Sequence, residues 1–199
     1  MSRLRPLQDP EMSPAQLEFA QAVRTRRGAA GATAVLLWPT EGLSGPYEAL
    51  LRSPDLGVRY RELAAWAFGV TSMPRDLIEF AILVLVKHWN AQYPFWAHVL
   101  LGRQAGLSNE VMEAIRTGEP IPFKDANQQL VYEFLLEYLA RNRVSESAYA
   151  ALRDVFGESA VVDLVGLMGV YATTAMIANV FEAPVPEGED DPMLDPASA

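Results

Sequence analysis

The sequence predicts an all-α fold, and three observations carry that prediction. Apolar residues recur at three- and four-residue intervals along most of the chain, a spacing that gathers them on one helix face. Ser and Pro precede these runs and Gly follows them, as at helix starts and stops. No stretch alternates apolar and polar residues as a half-buried strand would, and no internal repeat of convincing length is present. With 199 residues, half of them apolar, the chain has the material for one sizeable core.

Taken in order, residues 1–12 read as an unstructured N-terminal arm, 13–182 as a single helical domain and 183–199 as an acidic, disordered tail. Ser13-Pro14-Ala15-Gln16 starts the first helix: Ser caps, Pro takes the first helical position and Gln closes a capping box. Residues 28–45, rich in Gly, Ala, Thr and Pro around Val35-Leu36-Leu37-Trp38, read as an ordered loop. A short helix follows from Pro46, and Ser53-Pro54 restarts the chain, because a residue before proline resists helical geometry. Helices are expected over 55–68, 74–89, 94–105 and 108–118, then over 124–143, from Ser145 to Phe156, and from 158 to 182. Eight to nine helices result. From Ala183 the chain is Pro-rich and acidic with few large apolar side chains, which is the composition of disorder.

Composition narrows the chemistry. There is no cysteine, so disulfides, thiolate nucleophiles and Cys-bearing metal sites are excluded. The two histidines, His88 and His98, match no paired-ligand spacing, and neither a metal nor another cofactor is expected. The net charge of −9 is concentrated at the end: residues 182–199 hold six acids and no base, leaving a net −3 on the rest. Nothing suggests a basic nucleic-acid footprint. The segment 160–181 has the length of a membrane span, but Asp163, Asn179 and two glycines favour a buried helix. The chain reads as soluble and cytoplasmic, with no membrane partner.

The stretch from Leu77 to Ala105 organises the rest. Leu77 to Val86 is apolar except for Glu79, and after the turn at Asn90–Pro94 an aromatic segment carries His98. A carboxylate in a helix otherwise fit for burial is costly unless it is paired. The candidate chemistry is therefore proton transfer by His98, with Glu79 setting its state and Tyr93 offering a phenolic donor. Glu79 could equally pair with Arg75 one turn away, and His98 could be a core histidine bonded to a backbone carbonyl. Gly102, one turn after His98, is expected to leave space for a small ligand, with Phe95, Leu83 and Val86 lining an apolar pocket. Arg103 is a candidate for neutralising a substrate carboxylate, or else a surface charge. In a level hairpin, His98 and Glu79 are offset by seven residues, about 10 Å at 1.5 Å per residue. That offset predicts a water-bridged relay, not a direct bond.

Arg75 to Leu83, Trp89 to His98 and Ala105-Gly106-Leu107-Ser108 together resemble the carboxymuconolactone decarboxylase family, which shares the fold of the alkylhydroperoxidase AhpD. Members place a Glu early on the first helix, two key positions at the turn and a His four residues after the second. Here Glu79, Ala91, Pro94 and His98 follow at those offsets. The resemblance implies an AhpD-like helical bundle that assembles as a homo-oligomer, commonly a trimer or hexamer. It also implies a Cys-free, cofactor-free carboxy-lyase acting by acid/base proton transfer on a small carboxylated lactone or enolisable acid. Redox-active members carry cysteines at the positions of Ala91 and Pro94, so thiol peroxidase chemistry is impossible here. Many Cys-free members carry Glu where this chain has Pro94, which keeps open a non-catalytic alternative: a helical oligomer serving as a binding or scaffold protein. Asp163, in the very apolar last helix, reads as a packing or interface group.

Overall fold

The computed structural model describes residues 2–29, 43, 45–70 and 72–189, and among them are nine α-helices, one 3-10 turn at Asp9–Glu11 and no strand. The helices are α1 (Pro14–Ala29), α2 (Pro46–Leu50), α3 (Pro54–Gly69), α4 (Arg75–His88), α5 (Gln92–Ala105), α6 (Asn109–Thr117), α7 (Ala126–Arg141), α8 (Glu146–Phe156) and α9 (Glu158–Val180). The all-α class and the helix count agree with the sequence. The Val35–Trp38 patch and residues 190–199 lie outside the described residues.

Local chemistry sets the helix ends. The Ser13–Gln16 capping box is made in both directions, with Ser13 N–H donating to the Gln16 side chain at 2.9 Å. Ser108, Asp125 and Ser145 each accept from the backbone N–H three residues on, capping α6, α7 and α8. Gly106 closes α5 in the left-handed region at φ +89°. The turn into α5 passes through Asn90 at φ +51°, a conformation its short amide side chain tolerates.

Helix α4 is the axis of the fold. Ten consecutive residues, Leu77 to Val86, are buried on every side, and α5, α6, α7 and α9 pack around it. This is why its sequence is apolar without a polar stripe. A second cluster joins Phe19, Ala20 and Val23 of α1 to Leu50, Leu51, Tyr60 and Ala64. Helix α9 is long and apolar enough to span a membrane by composition, yet half of its most apolar window is buried within the fold. Its other face leaves Val162, Val165, Met176 and Val180 more than half exposed, and Asp163 lies half-buried beside them.

Residues 2–12 and 183–189 depart from the expected disorder. In the N-terminal arm, Arg3 N–H donates to Phe181 O at 3.0 Å and Met12 is buried. Ala183 and Val185 of the tail pack on Tyr93, Trp96 and Ala97, and Trp96 Nε1–H donates to Glu189 at 3.2 Å. Few as they are, the apolar residues of both segments find partners on α1, α2 and α5. Pro6, Pro184 and Pro186 lower the entropy lost when these segments order. Trp96 thus faces the tail of its own chain.

Leu83, fully buried in the α4 core, is expected to behave as a packing residue. Leu83→Ala should lower unfolding free energy in urea by about 2–5 kcal/mol; a loss well below about 1 kcal/mol would contradict the packing described for α4.

Candidate functional site

The first two turns of α4 place Arg75 and Glu79 one turn apart on one face, and Arg75 donates an Nη2–H to Glu79 Oε1. Glu79 Oε2 lies 2.7 Å from His98 Nδ1, contributed by α5. Glu79 is fully buried, and its two oxygens are shared between a cation and an imidazole. Glu79 therefore pairs with Arg75 and contacts His98 at once, and His98 bonds to a carboxylate, not to a backbone carbonyl.

The water-bridged relay is corrected to a direct hydrogen bond. Side chains lean toward their helix N-terminus, so in a level antiparallel pair Glu79 and His98 would lean apart. The two residues nevertheless meet at 2.7 Å, so a level antiparallel register does not describe the α4–α5 pair at this contact.

A carboxylate only accepts, so the bond to Glu79 places a proton on His98 Nδ1 and leaves Nε2 as the ring nitrogen that does not contact Glu79. The imidazole is held on two sides: Phe68 lies against its face at 6.3 Å between centroids, and Tyr171 meets it edge-on at 4.9 Å. Phe68 also carries the Arg75 guanidinium over its other surroundings, 5.3 Å from the ring centre. His98 opens onto a cavity of about 100 Å³. Its walls include Tyr60 and Phe68 of α3, Tyr93, Pro94 and Leu101 of α5, and Tyr171 and Thr174 of α9. The hydroxyl of Thr174 donates to Val170 O at 2.7 Å, so at 2.6 Å it accepts from Tyr60. Burial, and next the charge of Glu79, push the Tyr171 phenol well above the ordinary tyrosine range. Burial likewise raises Tyr60. Both phenols stay protonated at neutral pH, and that of Tyr60 donates to Thr174.

The structure brings together only part of the predicted set. His98 and Tyr93 line the cavity, and Glu79, fully buried and not on its wall, is joined to it only through its bond to His98. Phe95, Leu83 and Val86 do not line it; they are buried in the core around α4, because the cavity opens on the α3–α9 side of His98. Gly102 faces away as well: a Cβ there would meet Met112 Sδ at 3.2 Å and Leu107 at 3.4 Å, so its small size admits α6, not a ligand. Arg103 is exposed and donates to Asn109 at 3.0 Å. Phe68, Tyr60, Tyr171 and Thr174 escaped the sequence reading. They lie on α3 and α9, and no local spacing links them to His98. Among the described residues no group of three or more His, Asp or Glu side chains is placed to hold a metal ion.

The chain matches no known family model and no curated protein.

The raised phenols have a pH signature. A folded-state pKa above the unfolded value contributes stability that is complete below the unfolded tyrosine pKa of about 10 and is lost as pH rises from there toward the folded-state value. Urea midpoints of the wild type should therefore fall above about pH 10, and Tyr171→Phe should flatten that fall. An equal alkaline loss in both proteins would contradict the burial of a neutral Tyr171 phenol.

Proposed function

We propose that the chain is a cofactor-free carboxy-lyase of the kind found in the carboxymuconolactone decarboxylase family, acting on a small carboxylated lactone or enolisable acid. The observation that carries the reading is the Arg75–Glu79–His98 relay with its imidazole facing a small, mostly apolar cavity. The proton on Nδ1 is held by Glu79, and Arg75 balances the charge of that carboxylate. Nε2 is thereby poised to take and return a proton, following the base-plus-orienter logic of acid/base catalysis.

In the proposed reaction Nε2 takes the acidic proton of the substrate. The bond to the carboxyl carbon breaks, CO2 leaves, and the electron pair stays on the conjugated carbonyl system. Imidazolium then returns the proton to the substrate carbon that lost CO2, so the substrate exchanges CO2 for hydrogen with no external oxidant or reductant. The apolar walls disfavour a localised carboxylate relative to a delocalised transition state. Tyr171, a protonated phenol beside the imidazole, and Tyr93 supply donors toward an enolate oxygen. The cavity volume limits the part of the substrate that reaches His98 to a few heavy atoms.

The proposed assembly is a homo-oligomer. The apolar outer face of α9, together with exposed Leu56 and Leu63 of α3, supports this reading. Static light scattering at micromolar concentration should give a mass of several chains, and Val165→Glu with Met176→Glu should reduce it to one. A monomeric wild type would refute the assembly.

The activity is tested by a turnover screen on carboxylated lactones and β-keto acids. His98→Ala and Glu79→Gln should each lower kcat/KM by about 10²–10⁴, the usual contribution of a positioned acid/base. The competing reading, a non-catalytic binding protein, draws on Pro94, which puts no carboxylate on the cavity wall. It predicts either no turnover or turnover indifferent to His98.

A further inference from the structure

A second cavity, of about 300 Å³, shares Tyr93 as a wall with the first. The partition is built tightly. Gly45 sits at φ +59°, and a Cβ there would come within 2.2 Å of the Tyr93 ring. Gly45 faces the second cavity and its neighbour Pro46 faces the first. The remaining walls are made where the two ends of the chain meet. The arm is tied to the end of α9 by Arg3 N–H to Phe181 O and to α2 by Leu7 N–H to Glu48 at 3.2 Å. The tail is tied to α5 through Trp96 and Glu189. Pro6, Pro184 and Pro186 stiffen these segments, which is why they bridge the space without collapsing into it.

The charges around this cavity define what it takes. Its buried ionisable wall group is Glu48, and that carboxylate is already committed: it accepts from Leu7 N–H and from Leu43 N–H at 2.9 Å, and it pairs with Arg52. No uncompensated charge is left to bind an ion of either sign. At the rim stands Glu187, exposed and acidic, which repels anions. The lining is otherwise chiefly aliphatic, with Leu4, Ala49, Phe181 and Val185 among it. The volume is at the small end of ligand cavities.

We infer that this cavity is a binding site for an uncharged, largely hydrocarbon molecule, separate from the His98 cavity and closed by the two ends of the chain. The inference stands on the cavity walls alone and does not depend on the lyase reading. Its probe is N-phenyl-1-naphthylamine, an uncharged fluorophore excited directly, titrated into the full chain. Saturable enhancement at one site is expected. The anion 8-anilinonaphthalene-1-sulfonate, with the same ring skeleton and an added sulfonate, should bind at least about tenfold more weakly, because its charge has no partner in the walls.

Two variants locate the probe. Ala49→Leu fills the cavity from α2, and a chain ending at Glu182 removes the tail wall. Either should weaken binding at least about tenfold while far-UV circular dichroism keeps the native helix content. His98→Ala should leave the probe affinity unchanged, whether or not that variant has lost turnover. The inference is overturned by the absence of saturable binding, by equal affinity for the anion, by full affinity in both the filled and the truncated proteins, or by loss of binding in His98→Ala.

Discussion

A buried carboxylate needs a partner for each oxygen, and Glu79, on the most enclosed helix of the molecule, has two. An ionised carboxylate taken from water without compensation costs several kcal/mol, so the surrounding structure must deliver those partners. Arg75 is delivered by helix periodicity alone, one turn back on α4. His98 must come from another helix, so the pair pins α4 against α5 at the crossing that brings Nδ1 to Oε2. The same bond orients the imidazole and selects its tautomer. Structure and chemistry are therefore imposed by one interaction.

Around that pair the other elements take positions that the relay depends on. Phe68 of α3 has the Arg75 guanidinium 5.3 Å from its ring centre and stacks with the His98 ring at 6.3 Å between centroids. Tyr171 of α9 closes the ring edge, and its burial keeps its own phenol protonated. The bonded Tyr60 and Thr174 tie α3 to α9 behind the cavity, so its polar wall groups remain satisfied. Tyr93 does a different job: seated on Gly45, it separates the small space beside His98 from the larger one beneath the chain ends. Two mainly apolar cavities thus lie either side of one ring.

Much of this architecture was legible before any coordinates. Nine helices begin and end close to where caps, prolines and glycines placed them, because capping and periodicity are local interactions among residues a few positions apart. The oddity of Glu79 within an apolar helix pointed to the site for the same reason: burial is implied by neighbours in sequence, and a charge among them is conspicuous. Composition misled at both ends, where sparse apolar residues implied disorder. Leu7, Met12, Ala183 and Val185 are few, but each meets a surface already built by α1, α2 and α5.

By itself the sequence determined the helical class, the buried character of α4 and the absence of thiol chemistry, and it singled out Glu79 and His98 as candidates. Only the tertiary structure decided that these two touch, and that the cavity opens toward α3 and α9 and away from Phe95, Leu83, Val86 and Gly102. The physical reason is that a helix face is a property of local spacing, whereas the angle at which two helices cross is set by side-chain packing between residues far apart in the chain. A change in that angle moves His98 by a distance larger than a hydrogen bond, and no pattern within either helix records it.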